Sequence, residues 1–94
     1  MRFEDIVMDY DDSLEGVQGI VEYGPYELSI VKHKYSYGGT KGLYEIAVFK
    51  DAEQVEMPGV TAEGDTVKGF LTENEVSGIM VKMHSITGKD GVQR

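Results

Sequence analysis

Two runs of β-branched and aromatic residues, 27–35 and 43–49, are joined by the glycine-rich segment Ser36-Tyr37-Gly38-Gly39-Thr40-Lys41-Gly42. Each run has the length and composition of a strand, and together they read as a hairpin on which the rest of the chain can pack. Side chains alternate across a strand. Leu28 and Ile30 therefore share one face, and Val31, His33 and Tyr35 the other. In the second run Leu43, Ala47 and Phe49 alternate with Tyr44, Ile46 and Val48. Both strands are apolar on both faces near their centres. That places them centrally in a sheet, or under a helix. Lys32, Lys34 and Lys50 fall toward the strand ends, where their charges reach water.

The flanking sequence extends this unit. Residues 17–23 read as an earlier strand that ends at Gly24-Pro25, since proline cannot donate to a ladder. Residues 54–57 read as a short return strand before the Pro58-Gly59 turn. Residues 66–71 read as a partly extended connector. Thr72-Glu73-Asn74-Glu75 matches a capping box, and Leu71 with Val76 matches the hydrophobic staple around it. Val76, Ile79, Met80 and Met83 then form one apolar stripe. Lys82 suits the end of the helix dipole and Gly88 suits a stop. These signals predict a helix over 73–85. Gly78 inside it costs about 1 kcal/mol relative to alanine, which close helix–sheet approach would explain.

The expected fold is α+β: a meander of three or four antiparallel strands with one C-terminal helix packed on one face. Residues 1–94 form a single domain, with an acidic arm over 1–15, strands within 17–57, the helix over 73–85 and a frayed tail over 89–94. The N-terminal residues Phe3, Ile6, Val7 and Tyr10 have helical spacing, and the arm also fits an edge strand or a docked extension.

Charge narrows the function classes. The 94-residue chain carries a formal charge of −8. Residues 1–15 hold six acids against one arginine, and residues 51–75 hold seven against one lysine. Such a balance repels phosphate backbones and argues against nucleic-acid binding. It suits a basic partner. No apolar run is long enough to span a membrane. With no cysteine, disulfides, thiolate chemistry and cysteine metal sites are excluded. A reducing, cytoplasmic compartment fits this composition.

No catalytic or metal constellation emerges. Asp9, Asp11 and Ser13 begin like a calcium loop, but Leu14 stands where its glycine belongs and Ile20 where its bidentate glutamate belongs. The segment 37–42 resembles a phosphate-binding loop in composition only, because Lys41 is followed by Gly42 and a strand. His33 and His84 are the only histidines, and neither has a second ligand at close spacing. No serine is placed against a histidine and a carboxylate. The expected protein is therefore not an enzyme and needs no cofactor or metal.

The binding candidates lie on and beside the glycine loop. Tyr35, Tyr37, Lys41 and Tyr44 combine amphipathic contact area with charge, and loop tips often carry recognition. Lys32, His33, Lys34 and Lys41 also form a basic stripe in an otherwise acidic chain. That stripe suits an anionic ligand or an acidic segment of a second copy, and it also reads as a solvated strand end that deters edge pairing.

The strings SIVKHKYSYGGTKGLYEIAVF and GFLTENEVSGIM resemble a group of small proteins encoded by tailed bacteriophages. The similarity lies in residues 35–39, 42–45 and 71–76. It implies a phage origin and a location in the infected bacterial cell, and assigns no catalytic residue. The leading expectation is an accessory protein that binds a host or phage protein through its acidic surface or hairpin loop. A small-molecule or nucleotide binder using the glycine loop, and a structural homodimer, are the alternatives.

Overall fold

Alternation in the central segments builds the expected sheet. A computed structural model describes residues 1–94, with seven strand segments and one helix in an α+β arrangement. β1 is Asp9–Asp11, β2 Gly16–Tyr23, β3 Tyr26–Lys32, β4 Tyr44–Lys50, β5 Glu53–Gln54, β6 Val67–Leu71 and β7 Val92–Gln93; α1 is Glu73–Thr87. All pairings are antiparallel, in the order β1-β2-β3-β4-β5, with β6 also on β4 and β7 also on β2. The expected meander of three or four strands is thus its centre. Both edges of the sheet are shared by two short segments, an arrangement that blunts edge pairing.

The pleat sorts the side chains. Val21 lies opposite Leu28, and Leu28 opposite Val48, while Ile30 pairs with Ile46. These residues face α1 and are fully buried, together with Val76, Met80 and Met83 of the helix. The residue sets of β3 and β4 face opposite ways as the alternation requires, so only one face of each strand is in the core.

The helix begins as its capping box dictates. The Glu75 amide donates to Thr72 Oγ1 at 3.2 Å, and the Thr72 amide donates to Glu75 Oε1 at 3.0 Å. Leu71 and Val76 are both buried, consistent with the staple. Gly88 takes a left-handed conformation, and its amide donates to His84 O at 2.9 Å. The helix runs two residues beyond the expected end because the cap at Gly88, rather than Ser85, terminates it. Gly78 does not allow a close approach: it is exposed, and a Cβ there would meet nothing within 4 Å.

Both termini are docked. The Phe3 amide donates to Ser77 Oγ at 2.9 Å, and the Phe3 ring meets Tyr44 edge-on at 4.9 Å. Asp9–Asp11 then pairs with β2. The tail is not frayed as expected. Val92 and Gln93 pair with Glu22 and Val21, and the Arg94 amide donates to Ile20 O at 3.0 Å. The Val7 amide donates to Gln93 Oε1 at 2.7 Å, so the two ends hold each other. Backbone pairing and this side-chain bridge order a segment that has almost no apolar content of its own.

The loop 55–62 completes the covering of the core face. Met57 and Val60 are buried, and Lys82 Nζ of α1 donates to Gly59 O at 3.0 Å. No helix is long and apolar enough to cross a membrane.

Candidate functional site

The glycine loop folds onto itself before it presents anything outward. Ser36 is buried at its base: the His33 amide donates to Ser36 Oγ at 2.9 Å, and the Ser36 amide donates to His33 O at 3.1 Å. Gly39–Lys41 forms one 3-10 turn. The amide of Gly39 donates to Ser36 O, those of Lys41 and Leu43 to Gly38 O, and that of Gly42 to Gly39 O. Four loop amides are therefore engaged within the loop, so they are not arrayed to cradle an anion.

What the loop does present is aromatic. Tyr35 is exposed, and Tyr37 is 59% exposed. Phe70, at the end of β6, lies beside Tyr37 and is 55% exposed. The Phe70 amide donates to Tyr37 O at 3.1 Å. Two glycines make this contact possible. Gly38 has φ 90°, a left-handed value that glycine adopts freely, and a Cβ there would stand 3.0 Å from the Phe70 Cα. At Gly69 a Cβ would stand 2.3 Å from the Tyr37 Cβ. Backbone therefore packs on backbone, and the two rings are left at the surface.

Phe70 is unusual in its own backbone. Its φ is 58°, left-handed for a residue that carries a bulky side chain. That conformation costs roughly 1–2 kcal/mol relative to the right-handed regions. It sits where the β4–β6 ladder shifts register, next to the Tyr44–Leu71 pair. A strained residue that exposes a large apolar ring is a functional hint, since neither feature helps folding.

Cations frame the rings. Lys41 Nζ lies 5.9 Å from the Phe70 ring centroid, and Lys34 Nζ lies 5.1 Å from that of Tyr35. Lys34 also pairs with Glu15, and Glu15 first, then Tyr35, holds the Lys34 ammonium above its usual pKa. The Tyr37 amide donates to Glu45 Oε1 at 3.2 Å. A hollow of about 270 Å³ lies along this edge, lined by Tyr37, Ala62, Asp65, Val67, Lys68 and Phe70 among others.

Of the four residues expected to bind, Tyr35, Tyr37 and Lys41 are exposed on the loop. Tyr44 is not available. It is 6% exposed, buried on the core face with Ile46 and Val48, and packed against Phe3 with Lys32 Nζ 5.0 Å from its ring centroid. Strand parity puts it there, because Tyr44, Ile46 and Val48 are two residues apart. The basic stripe is also divided. Lys32 turns to the core-side ring of Tyr44, while Lys34 and Lys41 serve Tyr35 and Phe70.

Sequence reasoning missed Phe70. Its position just before the buried Leu71 and the helix cap suggested a connector. The available signal was a pair: Phe70 follows Gly69, and the loop 36–42 holds a further glycine run that can receive it.

Away from the loop, His84 Nδ1 lies 2.9 Å from Lys89 O and 3.4 Å from Asp90 Oδ1. No group of three or more histidine, aspartate or glutamate side chains is gathered for a metal ion. Tyr23 is 1% exposed and its hydroxyl has no hydrogen-bond partner; burial pushes its pKa up to about 12. Comparison with protein-family models, with curated proteins and with solved structures finds no match.

Proposed function

We propose that this chain is a non-enzymatic protein-binding module whose primary contact is the exposed aromatic tip of Tyr35, Tyr37 and Phe70, edged by Lys41. The observation that carries this reading is Phe70: a large ring held at the surface by a strained backbone, its amide bonded to Tyr37 O and its ring edge beside Gly38. Aromatic residues with a neighbouring cation are the usual anchors of protein interfaces. Tyrosine and phenylalanine on a rigid loop lose little conformational entropy on binding.

The loop favours this over a nucleotide site, since its amides already donate to loop carbonyls and Lys41 lies over a ring. The resemblance to small tailed-phage proteins supports an accessory role inside an infected bacterium, acting on a host or phage protein.

The test is affinity capture from bacterial lysate, comparing wild type with Tyr37→Ala/Phe70→Gly. A discrete protein held by wild type and lost by the double variant is the expected result. Equal capture by both would remove the tip from the interface.

A further inference from the structure

We infer that the uncovered face of the sheet is a second docking surface, and that its occupant is a basic amphipathic helix. The inference rests on the reading of the chain as a protein-binding module, but not on the aromatic tip.

The pleat divides the sheet's side chains between two faces. α1, the N-terminal segment and the loop 55–62 all pack on the face that holds Val21, Leu28, Ile30, Ile46 and Val48. No helix or loop covers the other; the Arg94 side chain alone reaches across its Glu22–Glu27 end. Register places Gln18, Val31 and Glu45 in one row of that face, Ile20, Ser29, Ala47 and Val67 in the next, and Glu22, Glu27 and Phe49 in the last. Ile20, Val31, Ala47, Phe49 and Val67, each only partly buried, surround Ser29 at its centre, whose hydroxyl accepts from Gln18 Nε2 at 3.1 Å. An antiparallel sheet can leave one face to water, but that face is then mainly polar. Here half of the ten positions are apolar, and of the polar ones only Ser29, already bonded to Gln18, lies inside the apolar patch.

Those margins are acidic. Asp9 and Asp11 flank Gln18 and Gly16 on the β1 side, Glu22 and Glu27 close one end, and Glu45 stands at the opposite corner. Within the strands and tail of this face the one cation is Arg94. It is already paired with Glu22 at 3.2 Å and with Glu27. A hollow of about 200 Å³ opens between Gln18, Ile20, Ser29, Phe49 and Arg94.

Shape and charge select the occupant. The apolar patch spans β2, β3 and β4, which is about 10 Å across at ordinary strand spacing. That is the width of one helix with its side chains, and the opposite face does carry one helix. An apolar stripe fits the centre, and lysines or arginines beside the stripe reach the acidic margins. A second copy of this chain would bring the same negative margins and be repelled. An acidic helix is disfavoured in the same way.

The test uses the full chain, ¹⁵N-labelled, titrated with an 18-residue amphipathic peptide of leucine and lysine, and with its leucine–glutamate counterpart. The expected result is saturable amide shifts centred on Gln18, Ile20, Ser29, Val31 and Ala47 with the lysine peptide alone. Phe49→Lys is expected to weaken binding tenfold or more, while Val81→Lys, the same charge change on the exposed side of α1, matters far less. Should Phe49→Lys not fold, Asp9→Asn at an exposed position is expected to weaken binding about two- to fivefold. Shifts centred on Tyr37 and Phe70 would overturn the face and leave the tip standing. Shifts scattered over acidic residues elsewhere, equal binding of both peptides, or an unchanged affinity in Asp9→Asn would also overturn it.

Discussion

Replacing Phe70 separates its burden on folding from its role in binding. The ring is 55% exposed, so somewhat under half of a 150–250 Å² aromatic surface is covered. At about 25 cal/mol per Å² that burial contributes about 2 kcal/mol. Against this stands the left-handed backbone, which costs roughly 1–2 kcal/mol in any residue with a Cβ and almost nothing in glycine. Glycine adds its own cost of about 0.5–1 kcal/mol through the unfolded chain. Phe70→Gly should therefore destabilise by only about 1 kcal/mol, against about 3–5 kcal/mol for truncating a buried phenylalanine. Phe70→Ala loses most of the same contacts and keeps the strain, so it should be no more stable than Phe70→Gly. That order reverses the one normal in a strand. Urea unfolding followed by circular dichroism measures both. A loss of 3 kcal/mol or more in Phe70→Gly, or alanine clearly above glycine, would make Phe70 a structural anchor instead.

Three further outcomes are expected. Gly78→Ala should stabilise by about 1 kcal/mol, because Gly78 is exposed in mid-helix with open space at its Cβ; a thermal melt should rise by about 4–8 °C, and a fall would mean that the helix packs through this position. Hydrogen bonds from Thr72 hold Glu75 below the usual carboxylate pKa, so its contribution is present above the ordinary value and lost as pH falls through the depressed one. Glu75→Ala should therefore cost stability at pH 7 and progressively less in acid, because the Thr72 amide donates to the ionised carboxylate, whereas Thr72→Ala should cost about 1 kcal/mol at pH 7; melts across pH 7 to 3 in which the Glu75→Ala difference stayed constant would contradict the capping box. Tyr23 is the opposite case, with its folded pKa raised to about 12 by burial: stability should decline as pH rises from the ordinary tyrosine range through that value, and Tyr23→Phe should remove the decline while stabilising at pH 7 by about 1 kcal/mol, since it deletes a buried hydroxyl without a partner.

The parts of the fold that local chemistry specifies could be read in the chain. The strand runs around Leu28–Ile30 and Ile46–Val48 state their own period, and the box Thr72–Glu75 with Gly88 states both ends of the helix. The parts set by long-range pairing could not. Val92 and Gln93 carry no strand signal, and they pair because Val7 holds the Gln93 side chain and β2 offers a free edge. The alternation that buries Tyr44 with Ile46 and Val48 is visible in the chain. Nearness to the glycine loop masks this parity. Phe70 reaches the site only through a register shift on β4, which no local pattern announces.

A photo-crosslinking phenylalanine analogue placed at single positions reports whether the aromatic tip contacts another protein. Positions 37 and 70 lie on the tip; position 81 is equally exposed on α1 and serves as the control. On illumination in bacterial lysate, a discrete adduct of the same protein is expected from positions 37 and 70 and none from 81. An adduct from position 81 alone, or none from either tip position, would remove the tip from the interface.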